Sequence, residues 1–148
     1  MCSSDLVTTN SFGASPITLG EFGLSAEAFQ LSKRSAELVR EAADLLKADG
    51  RERFVLGDIG PGTKLPTLGH IDYQPLEDAL AVQAAGLIAG GADALVLVTE
   101  WRQYQNPDFS RLKSLLRRPL LVDGRNIWSG YGLRKQGFTY DGIGVRGS

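Results

Sequence analysis

A glycine pair followed three residues later by an unbroken aliphatic run constrains this chain more than any other stretch. Gly90-Gly91 closes a helical pattern, Ala92-Asp93 leads out of it, and Leu95-Val96-Leu97-Val98 follows before Thr99-Glu100. A short run rich in β-branched residues and bounded by turn and cap residues reads as a strand buried on both faces, as in a parallel sheet. Parallel strands need crossovers, so helices are expected on either side of it in the chain.

The remaining text fits that demand. Leu6 to Thr9 is β-prone and is broken by Asn10-Ser11-Phe12-Gly13. Pro16 to Phe22 reads as one helical turn closed by Gly23. Ser25 is the expected N-cap of a long helix that Gly50 ends. Leu31, Leu38, Ala42 and Leu45, with Val39 and Leu46 beside them, recur at helical spacing and are assigned to its core face. Lys33, Arg34, Glu37, Arg40, Glu41 and Asp44 are assigned to its wet face. Phe54 to Ile59 is the second strand. The loop Gly60 to His70 holds too many glycines and prolines for a helix or a central strand. Asp72 and Pro75 open the next helix, with Leu76, Leu80, Leu87 and Ile88 as its stripe. After the aliphatic run, Asn106-Pro107 starts a helix carrying Phe109, Leu112, Leu115 and Leu116. Pro119 leads into a strand over Leu120 to Val122, a weak helix is placed around Leu133, and Tyr140 to Val145 reads as the last strand.

The order β-α-β-α-β-α-β-α-β predicts an α/β protein with right-handed crossovers. Its 148 residues suit one domain, 1–148. The expected architecture is a single open five-stranded parallel sheet with helices on both faces, flavodoxin-like or Rossmann-like. Strand order 2-1-3-4-5 is preferred over 1-2-3-4-5, because the latter stacks every helix on one side. Segment 10–24, or a second copy of the chain, is expected to cover the thinner face.

Composition narrows the function classes. Net charge is −1, which offers no polybasic field to nucleic acid or an anionic membrane. The one cysteine, Cys2, excludes an intramolecular disulfide and a cysteine-built zinc site within one chain. No apolar run approaches the ~20 residues of a membrane span, and no signal sequence is evident, so a cytoplasmic location is the expectation.

Two families share the text. Thr9-Asn10-Ser11-Phe12-Gly13-Ala14, the run Gly57 to Ile71 and Gly90-Gly91-Ala92-Asp93 resemble the homocysteine S-methyltransferase domain of cobalamin-dependent methionine synthases, over residues 5–93. That resemblance implies a fragment, about a quarter, of an eight-stranded β/α barrel. The family's zinc is bound by three cysteines on later strands, which this chain lacks. Asp93 to Trp101, Asn106-Pro107-Asp108-Phe109, Asp123-Gly124-Arg125-Asn126, and Gly137-Phe138 through Gly144 resemble the UDP-binding domain of UDP-glucose 6-dehydrogenases, over residues 92–146. That resemblance implies half of a Rossmann-like domain, without the NAD domain or the catalytic cysteine and lysine regions, and with Arg125 as a UDP-sugar anchor. Trp128-Ser129-Gly130 stands where that family starts a helix with an acidic residue and proline. Both families carry Gly-Ala-Asp before a buried strand, so the chain reads as a chimera joined there, most simply an engineered one.

No catalytic residue, cofactor or metal site is assigned. Six residues are carried as ligand-binding candidates. Asp58 lies at a strand's C-terminal end, where open α/β sheets bind ligands, although a cap role is favoured. Thr63 and Lys64 lie beside glycines in a loop that lacks P-loop spacing. Thr99 follows the aliphatic strand, and Asp123 and Arg125 follow the next. His70, the only histidine, reads as a base or ligand or, preferably, as a residue fixing a turn. Trp101, Tyr104 and Trp128 stack a nucleobase or close a core, the second being favoured. The expected function is a recombined scaffold without turnover. The alternative is a weak binder of a UDP-sugar or another phosphate-bearing anion, the protein being a monomer or a homodimer.

Overall fold

The computed structural model describes residues 6–60, 62–97, 106–116 and 118–142. The chain divides into two compact units, Met1–Ala92 and Asp93–Ser148.

In the first unit, β1 (Leu6–Thr8) leads through α1 (Pro16–Gly20) to α2 (Ala28–Leu45), then β2 (Phe54–Leu56) and α3 (Tyr73–Ala89). β1 and β2 pair in parallel, Leu6 opposite Phe54 and Thr8 opposite Leu56. Ser15 caps α1, its Oγ accepting the Thr18 N–H at 3.3 Å ahead of Pro16 in the first turn. Ser25 does not cap α2. It opens a 3-10 turn, Ser25–Glu27, and its hydroxyl donates to the Pro16 carbonyl at 2.6 Å. α2 tightens into a second 3-10 turn that Gly50 closes at φ 76°, a left-handed geometry that favours glycine.

The helix pair α2–α3 packs through small residues. α2 buries Ala28, Ser32, Ala36 and Ala43. A Cβ added to Gly86 of α3 would lie 2.5 Å from the Phe29 carbonyl and 2.8 Å from the Ser32 Cβ. One added to Gly90, just beyond α3, would lie 2.2 Å from the Lys33 carbonyl and 2.7 Å from the Ala36 Cβ. This contact decides which face of α2 turns inward, and it is not the one expected. Leu31, Leu38 and Leu45 are 45%, 50% and 82% exposed. The leucines are too long for a backbone-to-backbone approach, so the alanine and serine side takes it.

The same contact overturns the flavodoxin-like sheet. Right-handed crossovers lay successive helices on one face when the chain keeps its direction, and on opposite faces when it reverses. Order 2-1-3-4-5 reverses after β2 and would separate α2 from α3, which instead pack on each other. The expected single open five-stranded sheet with helices on both faces therefore gives way to a two-stranded ladder in the first unit and a three-stranded one in the second. Segment 10–24 contains α1, which lies against α3.

The second unit holds β3 (Ala94–Leu97), α4 (Phe109–Leu115), β4 (Leu120–Asp123) and β5 (Thr139–Gly142). β4 pairs in parallel with both others, Ala94 and Thr139 standing opposite Leu120. Asp108, rather than Asn106, caps α4, its Oδ1 accepting the Arg111 N–H at 2.9 Å. The helix expected around Leu133 is a 3-10 turn, Ser129–Tyr131, followed by further turns. The 3-10 turn ends at Gly132 (φ 61°) and the turns after it at Gly137 (φ 85°), both left-handed. Phe109, Leu116, Leu121, Trp128, Leu133, Phe138 and Tyr140 form this unit's core. Among the described residues no helix is long and apolar enough to cross a membrane.

Gly90→Ala is expected to destabilise the first unit by about 2 kcal/mol, because overpacking a fixed backbone costs ~1–3 kcal/mol. Gly130→Ala, whose Cβ would meet nothing within 4 Å, should change stability by less than about 0.5 kcal/mol. Urea unfolding of the two variants measures the difference.

Candidate functional site

The polar groups beyond the C-terminal ends of β1 and β2 form a buried knot. The Thr9 and Ser11 hydroxyls lie 2.6 Å apart. Ser11 donates to the Asp58 carbonyl at 2.7 Å, and the Asp58 N–H donates back to Thr9 Oγ1 at 2.8 Å. Gln83 of α3, fully buried, donates its amide to the Ser11 carbonyl, and its Oε1 has no hydrogen-bond partner among the described residues. Asp58 thus joins two strand ends through its backbone. Its half-buried carboxylate has no hydrogen bond or ion pair among the described residues.

Thr63 and Lys64 converge on an anion, but one belonging to the chain. Thr63 Oγ1 donates to Glu21 Oε1 at 2.8 Å, and Lys64 Nζ lies 3.9 Å from the same oxygen. Glu21 directly follows α1, so these contacts tie the 60–70 loop down across the first unit. His70 closes the loop on itself: its N–H donates to the Leu65 carbonyl at 3.2 Å, and its Nδ1 accepts the Leu65 N–H at 3.5 Å. The side chain is exposed. Pro16, Ile17 and Gly20 on one side, with Pro75, Ala79 and Val82 on the other, line an open groove between α1 and α3.

In the second unit the carboxylate of Asp123 is fully buried and saturated. Its Oδ1 accepts the Arg125 N–H at 3.1 Å, and its Oδ2 accepts the Trp128 N–H at 2.7 Å and the Tyr140 hydroxyl at 2.9 Å. These bonds fold residues 123–128 into a turn that holds Asn126 at φ 56° and presents Arg125 exposed. Burial pushes the Tyr140 phenol above its ordinary value, and the bond it donates to Asp123 and that carboxylate's charge push it further. Trp128 sits in the core, edge-on to Phe109 with ring centroids 5.7 Å apart. Asp123 is therefore a structural acceptor here, and Arg125 is what its turn displays.

Thr99, Trp101 and Tyr104 lie outside the described residues. Of the candidates, Asp58, Thr63 and Lys64 belong to the first unit, and Asp123 and Arg125 to the second. Among the described residues no group of three or more His, Cys, Asp or Glu side chains is placed to hold a metal ion. Sequence reasoning passed over Thr9, Ser11, Gln83, Glu21 and Tyr140. For Gln83 a signal existed, a lone amide among alanines on the helix face that also carries Leu76, Ala79 and Leu87.

Two kinds of known protein match the chain. A profile of the family Homocysteine S-methyltransferase matches residues 2–105. The methionine synthases of Mycobacterium leprae (strain TN) and Mycobacterium tuberculosis (strain ATCC 25618 / H37Rv) are each 39% identical over 127 residues, which is 84% of this chain and 10% of theirs. A different segment matches the UDP-glucose 6-dehydrogenase of Pseudomonas aeruginosa, 56% identical over 54 residues, 36% of this chain and 12% of that enzyme. The chain spans about a tenth of the length of these relatives. The two kinds of match together exceed the chain's own length, so they overlap, and the family match continues past Asp93 through β3.

Tyr140→Phe is expected to lower stability by about 1–2 kcal/mol by removing one donor from a buried carboxylate. Because the folded-state pKa of Tyr140 is raised, its contribution is complete below the ordinary tyrosine value of about 10 and drains away as pH climbs above it towards the folded value. Urea melts should show the parent losing stability above pH ~10 more steeply than Tyr140→Phe; identical slopes would exclude the coupling.

Proposed function

Because the chain belongs to the homocysteine S-methyltransferase family and carries a second segment similar to UDP-glucose 6-dehydrogenases, we propose that it is a recombined α/β scaffold without catalytic turnover, most simply an engineered one. The observation that carries this reading is how the loops are used. The cation and hydroxyl of the 60–70 loop are satisfied by Glu21, and the carboxylate after β4 is satisfied by its own turn and Tyr140. Residues placed for ligands serve instead to hold the fold. The chemistry of the family points the same way. Activation of a thiol by zinc needs thiolate or imidazole ligands, and the whole sequence contains one cysteine and one histidine.

A second reading rests on Arg125. It stands exposed at the turn beyond β4, on a backbone clamped by Asp123, a placement that suits one charge-assisted bond to a phosphate. On that reading the protein holds a UDP-sugar or a similar anion weakly.

Assays for methyl transfer to homocysteine and for NAD-dependent oxidation of UDP-glucose should both stay at the protein-free rate; zinc-dependent or NAD-dependent turnover above it contradicts the scaffold reading. Titration with UDP-glucose, followed by backbone amide shifts, separates the second reading. Shifts confined to residues 123–128 that vanish in Arg125→Ala support it, and an unchanged spectrum at about millimolar ligand removes it.

A further inference from the structure

The leucines that α2 turns away from α3 form a line. Leu31, Leu38 and Leu45 are spaced by seven residues, so they share one side of the helix with a drift of about 20° per repeat. All three are exposed. One flank of this line carries Arg34 and Glu41, again seven apart, whose guanidinium and carboxylate lie 2.9 Å from each other. The opposite flank carries Val39, Ala42 and Leu46, neutral and at least partly exposed.

A seven-residue leucine repeat is complementary to another helix with the same repeat, and a second copy of this chain supplies one. We propose that α2 is a homodimer interface in which two copies pair antiparallel about a two-fold axis at Leu38. In this register Leu38 meets its own counterpart, and Leu31 of each copy faces Leu45 of the other. Arg34 of each copy then stands across from Glu41 of the other, so the charges complement one another twice under one symmetry operation. A parallel alignment brings Arg34 to the neutral flank and gains no such pair. The arrangement also accounts for the exposure itself: the small-residue face is taken by α3, and the leucines are left for a partner. The seam is smaller than the ~800 Å² per partner of a standard stable interface, so the dimer is expected to form at high-micromolar rather than nanomolar concentration.

Sedimentation equilibrium of the full chain, from low-micromolar to about 1 mM, reads the association directly. A reversible monomer–dimer equilibrium is expected, and a monomer throughout overturns the proposal. Leu38→Glu places two carboxylates against each other and should weaken dimerisation by roughly 100-fold or more, with circular dichroism confirming the fold; a folded variant that dimerises like the parent overturns it. The charge pair tests register without touching the core. Arg34→Glu and Glu41→Arg alone should each weaken the dimer about 5-fold, and the double exchange should restore it. Singles without effect, or a double variant no better than the singles, overturn the antiparallel arrangement.

Discussion

The contact on which the first unit depends is the approach of α3 to α2 at Gly86 and Gly90. A carbonyl and a Cβ of α2 occupy the space where each glycine would carry a side chain. Glycine in a helix interior costs roughly 0.5–1 kcal/mol relative to alanine, and the close contact of two backbones offsets that cost through dispersion. The approach orients the rest. It seats Leu87 against Gly57, where an added Cβ would lie 3.0 Å from the leucine Cδ1. It brings Arg40 within 3.1 Å of the Gly91 carbonyl, a cation at the end of α3 where the helix dipole favours one. It groups Ala36, Leu87 and Ala92, with Ile59 packed beside them, as the small core over β2.

The loops show a second constraint, the obligation of polar groups to find partners when water is excluded. Thr9, Ser11 and Gln83 are nearly inaccessible, and their hydrogen bonds knit the ends of β1 and β2 to α3. Asp123 plays the corresponding part in the second unit with three donors around one carboxylate. Glu21 does so at the surface for Thr63 and Lys64. An internal anion thus stands where a bound one would be expected from Thr63 and Lys64. In a chain that matches two enzyme families in pieces, each covering little of its relatives, these side chains bond to the chain itself.

Much of the element order is legible from residues alone. The left-handed glycines at 50, 91 and 137 end elements where glycine text suggests they should, and β4 sits where a proline precedes an aliphatic run. What is not legible is which side of α2 points inward. Reading by hydrophobicity assigns Leu31, Leu38 and Leu45 to the core, because it ranks side chains by transfer energy and ignores the partner. The partner presents Gly86 and Gly90, four residues apart, and such a surface selects the small row Ala28, Ser32 and Ala36, also four apart. That matched spacing was available in the sequence. The preference for order 2-1-3-4-5 has a separate origin, the need to cover both faces of a five-stranded sheet, and the packing of α2 on α3 overturns it. The polar turns after β2 and β4 are legible as turns, yet the bond between Asp123 and Tyr140 depends on a residue 17 positions away.

The family match passes through β3, and the matches to methionine synthase and to UDP-glucose 6-dehydrogenase overlap within the chain. The account's central physical claim is narrower, that α2 docks through its small face and leaves its leucines outside. Isotope-edited nuclear Overhauser contacts at low protein concentration test it most directly. The account predicts strong contacts from the Ala36 methyl to the Gly90 α-protons, with the Leu31 and Leu38 methyls silent towards α3. Contacts from the Leu31 or Leu38 methyls to Leu87, with Ala36 silent, would contradict it.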